Sequence, residues 1–468
     1  MTSSPRDSRP SKPPRTGPYR IQAARRVAYD VLRAVHGSDA YANLLLPAKL
    51  DEAGLNEADA GLTTELTYGT LRRQGYYDRV IELASGRPLS KLDPEVLDAV
   101  RLGVHQLLGM RVAAHAAVDE SVALVAAAGK RSATGFANGV LRTISRSTSA
   151  DWRERALEGL SGDARLAMEH AHPLWIVEAF RAALTAEGRG DELERLLEAD
   201  NDPPRVSLVA LPGLGTVAEL GEPGAVSPIA AMSIGGDPAG NSIVAAGRAR
   251  VQDEGSQLAA LALSRARPVV AGERWLDLCS GPGGKAAVLA AEAAIGGAVL
   301  LANELVPTRA RLVRNALAVF AVPPEVVEGD GRRFAADPGR FDRILLDAPC
   351  TGLGALRRRP EARWRKQPSD LAELNVLQNE LLETAIQALA PGGLLAYVTC
   401  SPHLDETRAV VATAVGRHPG ISLMDTPAVL AGVATRDLDL AADSHAQLWP
   451  HRHGTDAMFI QLMAKVES

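Results

Sequence analysis

Two stretches of this chain place a cysteine just beyond an apolar run. Ile344-Leu345-Leu346-Asp347-Ala348-Pro349-Cys350-Thr351 is one, and Tyr397-Val398-Thr399-Cys400-Ser401 is the other. A free cysteine is usually a small buried hydrophobe. Two of them at strand ends stand where catalytic loops belong and would converge on one pocket mouth. A cysteine acts as a nucleophile through its thiolate, so a lowered pKa or a nearby base is expected at such a site.

A third stretch runs Trp275-Leu276-Asp277-Leu278-Cys279-Ser280-Gly281-Pro282-Gly283-Gly284-Lys285. It reads as a strand, a glycine-rich loop and the start of a helix. Glycines there let a ligand approach the backbone, and helix N-terminal amides can cradle it. Gly281-x-Gly283-x-x-Ala286 also fits a dinucleotide fingerprint, with Glu304 at a distance suited to a ribose hydroxyl. The loop alone therefore leaves the ligand open. It is not a P-loop, because Ala286 rather than Ser or Thr follows Lys285. Glu304 and Asp330 end the next two apolar runs. Glu304 can accept from both ribose hydroxyls, and Asp330 from a donor on an adenine ring. Acids at successive strand C-termini sit where open α/β sheets bind ligands.

The elements that must position these residues are legible as a pattern. From about 250, short apolar runs at Trp275–Leu278, Ala298–Asn303, Val326–Glu328, Ile344–Leu346 and Leu394–Val398 alternate with helical segments. This is the signature of a doubly wound, mostly parallel Rossmann-like α/β domain. From about 20 to 147 the pattern is helical instead. Ala24, Val27, Ala28, Val31, Leu32 and Val35 recur at i, i+3, i+4 spacing. Further helices are expected around Leu62–Leu71, Glu95–Leu108, Ala117–Ala128 and Phe136–Ile144, with Asp93-Pro94 supplying an N-cap and a first-turn proline. The stretch between is mixed, with one strand expected at Val206–Leu211. The expected organisation is multidomain. A disordered basic tail spans 1–18, an all-α domain 19–150, a connecting subdomain 151–250 and the α/β domain 251–468.

At this point the motifs resemble a known family. Asp277–Lys285, Asp347-Ala348-Pro349-Cys350 and Thr399-Cys400-Ser401 look like the motifs of the Sun/Nop family of RNA cytosine-C5 methyltransferases. Gln252-Asp253-Glu254-Gly255-Ser256-Gln257 resembles the opening of its catalytic domain. The helical N-terminus resembles the NusB-like RNA-binding domain of the RsmB-like branch, and His172-Pro173-Leu174-Trp175 resembles the start of that branch's middle region. Three positions depart from the pattern. Thr351 stands where Ser is usual, Gly281 where Ala is frequent, and Ala457 where the family usually has Gly.

The resemblance implies the chemistry. Cytosine C5 is a poor nucleophile until a thiolate adds at C6 and makes it enamine-like. Cys400 is implied as that thiolate and Cys350 as the cysteine that assists its later release. Asp347 would bond the N3/N4 edge of the base if protonated, or its exocyclic amine otherwise. S-adenosylmethionine is the implied methyl donor, held by Cys279–Lys285, Glu304, Asp330 and Asp347. Small-subunit (16S) ribosomal RNA is the implied substrate. The reverse cysteine assignment carries weight too, because Pro349-Cys350 also looks like the Pro-Cys nucleophile of DNA cytosine-C5 methyltransferases. Thr399-Cys400 favours the RNA family.

A target base must leave its stack to reach such a pocket. Arg357, Arg358, Arg359, Arg363, Arg365 and Lys366 follow Cys350 with only Glu361 opposing, and are expected to contact RNA phosphates. Trp364 among them offers a stacking face. The tail residues Arg6, Arg9, Lys12, Arg15 and Arg20 are read as a solvated tail or an arm touching phosphates.

Bulk properties agree with an ordinary soluble globular protein. The 468 residues suffice for roughly three domains at about 150 residues each. With 4% aromatics, the cores must rest on Ala, Leu and Val. A net charge of −5 gives no global pull on nucleic acid, so RNA contacts must be local. Three cysteines without C-x-x-C spacing argue against a zinc site or a disulfide scaffold, and a reducing cytoplasm is expected. The histidines lack metal-ligand spacing. Neither a secretory leader nor a membrane span is expected, and a monomer is. Two other functions fit parts of the sequence. A NAD-dependent oxidoreductase would explain the glycine loop and Glu304 but not the paired cysteines. A non-catalytic RNA-binding assembly factor would explain only the helical region.

Overall fold

A computed structural model describes residues 21–38, 40–233 and 238–467. The basic tail over 1–18 and Arg20 lie outside the described residues. The chain separates into two compact units. The first comprises residues up to Ala40, Leu44–Thr70 and Tyr77–Trp152. The second comprises Tyr41–Asn43, Leu71–Tyr76 and the chain from Arg153.

The first unit is helical. Helix Ala23–Gly37 buries Ala24, Ala28, Val31, Leu32 and Val35, the stripe that the spacing requires. Helix Pro94–Leu108 is buried nearly all round, Asp98, Arg101, His105 and Gln106 included, and packs against Ala114–Ala127, Thr134–Ile144 and Ala23–Gly37. Gly103 permits this close crossing, since a Cβ there would lie 2.7 Å from Ser121 Oγ and 2.8 Å from Leu141 Cδ2. Asp93 occupies the N-cap position as expected, but its side chain bonds no helical amide. It pairs instead with Lys130 Nζ at 3.3 Å.

In the second unit, helices Gly162–Glu169, Leu174–Ala186 and Leu193–Ala199 precede a small antiparallel sheet. Its strands are β1 (Ser207–Ala210), β2 (Glu222–Pro223), β3 (Ala230–Met232) and β4 (Ala249–Val251), in the order β2-β3-β1-β4. Only β1 shows as an apolar run in the sequence. The other three are short and rich in small residues.

The large sheet contains β5 (Arg274–Asp277), β6 (Val299–Glu304), β7 (Glu325–Glu328), β8 (Phe341–Asp347), β9 (Leu389–Thr399), β10 (Ile421–Leu423), β11 (Ala446–Gln447) and β12 (Phe459–Lys465). Its order is β10-β12-β9-β8-β5-β6-β7, with β11 against β12. Strands β5 to β9 pair in parallel, while β12 and β10 run antiparallel. The chain winds outward from β5 through β6 to β7, then returns to β8 on the other side of β5. The C-terminal ends of β5 and β8 therefore flank the switch point, where such sheets bind ligands.

Both faces of this sheet are covered, so its central strands are apolar on alternate residues to both sides. Trp275, Leu345, Ala396 and Val398 meet the alanine-rich helices Glu254–Arg265 and Gly284–Gly296. Leu276, Ile344, Leu346, Leu395 and Tyr397 meet helix Asp370–Ala388. Arg343 in β8 is fully buried. Its guanidinium bonds Glu273 and the carbonyls of Leu263, Ser264, Arg267 and Pro268, which satisfies a charge the core could not otherwise hold.

Candidate active site

Four strand ends build the site. Asp277 ends β5, Glu304 ends β6, Asp347 ends β8, and Cys400 follows β9 directly. Cys350 lies three residues beyond β8. The Sγ atoms of Cys350 and Cys400 stand 3.5 Å apart, and both cysteines are free. Lys285, in the first turn of helix Gly284–Gly296, reaches across to Asp347 Oδ2 at 2.8 Å.

The two thiols are not equivalent. The hydrogen bond from Cys350 lowers the Cys400 pKa below its ordinary value. Burial and Asp347 oppose this, while Lys285 and Arg359 add to the lowering. Cys350 is pushed well above its ordinary value by its bond to Cys400, by burial, and by the charges of Cys400, Glu406 and Asp347. Lys285 and Arg359 are the cations that act on Cys400. Burial pushes Lys285 down, but Asp347, Cys400 and Asp277 raise it above its ordinary value, so it stays charged beside Cys400. Burial also drives the Cys279 thiol far up, which makes it inert.

The glycine loop is closed from below. Glu304 is buried and accepts from the Gly281 N–H at 2.9 Å and the Val306 N–H at 2.9 Å. Ser280 donates through both its backbone and its hydroxyl to the Asn303 carbonyl at 2.9 Å. A Cβ at Gly281 would lie 2.2 Å from Glu304 Oε2, so glycine here lets that carboxylate seat directly on the loop. Arg309 Nη2 donates to the Gly281 carbonyl at 2.6 Å. Asp330 accepts from Arg332, by backbone and side chain, and stands half-exposed. Leu305, beside Glu304, is 62% exposed and presents apolar surface at the same strand end.

Asp277 was not among the residues the sequence reading assigned a role. It is fully buried, and neither carboxylate oxygen has a hydrogen-bond partner; the Cys279 N–H leans towards it without reaching bonding geometry. Burial, followed by the charge of Asp347, pushes its pKa up to about 8. Three carboxyls thus crowd the ends of β5, β6 and β8. An orphaned buried acid among them suits a cationic ligand, which would lower the cost of ionising it.

Glu406 was also missed. It is fully buried in the turn Leu404–Glu406 and accepts from Thr351 N at 2.7 Å, Thr351 Oγ1 at 2.5 Å and Gln378 Nε2 at 3.2 Å. No spacing rule marks an acid six residues past a cysteine, so the sequence carried no signal for it.

The basic run requires correction. Arg363 is fully buried and donates to the carbonyls of Arg72, Ala171 and Asp200 and to Asn201 Oδ1. Arg357 is buried, and with Arg358 it forms an ion-pair network with Asp253 and Asp456. The guanidinium of Arg363 is committed to the fold rather than open to phosphate, and those of Arg357 and Arg358 are held by carboxylates. Trp364 is half-buried, with its ring filling the space where a Cβ on Gly75 would stand. Arg359 is exposed, whereas Arg365 and Lys366 are half-buried. The guanidiniums of Arg359 and Arg365 lie 5.7 and 5.2 Å from the Tyr41 ring centroid. Among the described residues no cluster of three or more His, Cys, Asp or Glu could hold a metal ion, and no helix is long and apolar enough to cross a membrane.

Comparison with known proteins places this geometry. Residues 267–464 match the family model described as 16S rRNA methyltransferase RsmB/F, and residues 22–146 match the NusB family. The chain is 47% identical to Rv1407 of Mycobacterium tuberculosis over 463 residues, covering 97% of this chain and 99% of that one. It is 32% identical to ribosomal RNA small subunit methyltransferase B of Pseudomonas putida, covering 96% and 98%. The crystal structure of PH0851 shares the fold with a TM-score of 0.79 at 22% identity, over 95% of this chain and 98% of that one. A helical NusB region, a doubly wound methyltransferase sheet and relatives aligned from end to end converge: this chain belongs to the RsmB/F family of 16S rRNA methyltransferases.

Proposed function

We propose that this chain transfers a methyl group from S-adenosylmethionine to C5 of a cytosine in small-subunit ribosomal RNA, through a covalent adduct between Cys400 and C6. The carrying observation is the sulfur pair, 3.5 Å apart and electrostatically unequal. The name of the Pseudomonas putida relative supports ribosomal RNA as the substrate.

The residues present fit the methyl donor. Glycines 281, 283 and 284 open the loop, Glu304 at the end of β6 would take the ribose hydroxyls, and the orphaned Asp277 carboxyl would favour the cationic donor. When bound, S-adenosylmethionine supplies an electrophilic methyl group to the activated carbon.

The protein's own groups do the rest. Cys400, held as thiolate by Cys350, Lys285 and Arg359, adds to C6, and the electron pair of the C5–C6 double bond moves towards C5. Asp347, ion-paired with Lys285, presents acceptor oxygens suited to the exocyclic amine. Adduct formation removes the negative charge from Cys400, and with it the main reason that Cys350 holds its proton so tightly. Cys350 then becomes the proton-exchanging group beside the adduct. Cys350, having passed its own proton to solvent, takes the C5 proton as a thiolate; the C5–H electron pair returns to the ring, the Sγ–C6 bond breaks and Cys400 leaves as thiolate.

The test is methyl transfer from labelled S-adenosylmethionine to small-subunit ribosomal RNA, followed by nucleoside digestion and mass spectrometry. The label is expected in 5-methylcytidine. Label in any other nucleoside, or NADH binding without methyl transfer, overturns the reading.

A further inference from the structure

We propose that Glu406 is a positioning residue that clamps the two cysteine loops together and keeps Cys350 as the protonated partner of the pair. The proposal rests on the reading of Cys350 and Cys400 as the reacting sulfurs and adds a residue through which that pair is set.

The clamp is built symmetrically about the sulfurs. Thr351 follows Cys350, and Ser401 follows Cys400. Their hydroxyls lie 3.1 Å apart, and Thr351 Oγ1 donates onward to Glu406 Oε2. The hydroxyl of Ser401 is thereby left to donate to Thr351, completing a chain from one cysteine loop to the buried carboxylate. Glu406 Oε1 takes the Thr351 N–H, while Gln378 Nε2 bridges Glu406 Oε1 and the Pro349 carbonyl at 2.8 Å. The residues on either side of Cys350 are thus both anchored. The backbone of Glu406 is fixed in turn by Tyr397 Oη, which donates to its carbonyl at 2.8 Å. All of these groups are buried or nearly so, where each bond is stronger than in water and each loss costlier. The substitution of Thr for the family's usual Ser at 351 fits, because the clamp needs only the hydroxyl.

Glu406 also acts through its charge. The groups facing Cys350 are Cys400, Glu406, Asp347 and Tyr397. Cys400 faces Cys350, Asp347, Lys285 and Arg359. Glu406 is thus an anion that raises the Cys350 pKa, and it favours the arrangement in which Cys350 keeps the proton.

Two measurements test the clamp. The first is the rate of Cys350 alkylation by iodoacetamide against pH, read by peptide mass spectrometry in Cys400→Ala and in Cys400→Ala/Glu406→Gln. Removing the charge should move the midpoint down by about one unit. This readout needs neither RNA nor methyl donor, so it stands or falls separately from the cytosine reading. The second is steady-state turnover. Glu406→Gln should lower kcat by about 10- to 100-fold with KM for RNA unchanged, the effect of sub-ångström to 1 Å misplacement. Thr351→Val should behave alike, and Thr351→Ser should retain full turnover. An unshifted alkylation midpoint, or wild-type kcat in Thr351→Val, overturns the proposal. The Thr351 pair decides the matter if Glu406→Gln does not fold.

Discussion

Cys350 and Cys400 are 50 positions apart in sequence, yet their sulfurs lie 3.5 Å from each other, and Lys285 and Arg359 lower the pKa of Cys400 while Glu406 and Asp347 raise that of Cys350. The geometry brings the two together, and the electrostatics tells them apart. Proline-cysteine and threonine-cysteine motifs each have precedent as nucleophile, so sequence weighed one against the other by resemblance alone. The distribution of cations is an independent argument for Cys400.

That argument predicts opposite behaviour of two similar variants. On RNA carrying 5-fluorocytosine at the target, loss of the C5 substituent is blocked and the wild type should be trapped covalently. Cys400→Ala should give no adduct on a denaturing gel. Cys350→Ala should still give one, and should accumulate adduct even on ordinary cytosine. The reverse pattern would assign the nucleophile to Cys350.

The basic run after Cys350 predicts a second contrast. Arg363→Ala removes a buried guanidinium that serves four acceptors, three of them backbone carbonyls, and should destabilise the protein by roughly 3 kcal/mol or more, seen as a fall in denaturation midpoint. Arg359→Ala removes an exposed guanidinium, and its stability should stay within about 0.5 kcal/mol of wild type. RNA affinity should fall in this variant, and the slope of log K against log salt should flatten by about 0.7 to 0.9 if one phosphate contact is lost. An Arg359→Ala protein with unchanged salt dependence would remove this residue from the RNA surface.

These two arginines show how far sequence could reach. Strand ends were legible because a buried parallel sheet demands apolar runs, and Cys350, Cys400, Asp347 and Glu304 were found by standing at those ends. Arg359 and Arg363 read alike in the sequence. What separates them is a set of backbone carbonyls from residues 72, 171 and 200, which no local pattern encodes. Glu406 and Asp277 were missed for related reasons. One bonds a partner 55 positions away, and the other matters because its carboxylate oxygens are buried without a partner in bonding geometry. The strands β2, β3 and β4 are only two or three residues long, too short to mark themselves, and their pairing is set by tertiary context.

Gly354 yields a third prediction. Its N–H donates to the Cys400 carbonyl at 2.8 Å, and its carbonyl accepts from Ala457 N at 2.9 Å. A Cβ there would lie 2.0 Å from the Ala457 carbonyl oxygen and 2.9 Å from that of Cys400, both backbone atoms that cannot swing aside. Gly354→Ala should therefore displace the Cys400 loop and lower kcat by about 100-fold or more. S-adenosylmethionine affinity, which the proposed function assigns to the glycine loop around Gly281, should be nearly unchanged by calorimetry. Full activity in this variant would show that the loop tolerates the displacement.

The last prediction concerns pH and a residue remote from the chemistry. Asp200 is buried, its carboxylate oxygens have no hydrogen-bond partner, and the nearest ring nitrogen, His172 Nε2, is 3.6 Å away. Burial pushes its pKa from 3.8 to about 7 against the opposing pull of Arg363. Between those two values the folded protein holds a proton that the unfolded chain releases. Stability from this group is therefore fully present near pH 4, declines as pH rises towards 7, and is level above that. Asp200→Asn removes the titration while breaking no hydrogen bond. The variant should match the wild type in melting temperature near pH 4 and exceed it progressively up to pH 7. At most about 4 kcal/mol is available there, from roughly three pKa units at 1.36 kcal/mol each. A melting-temperature difference that stays constant from pH 4 to pH 8 would show that Asp200 does not titrate in this range.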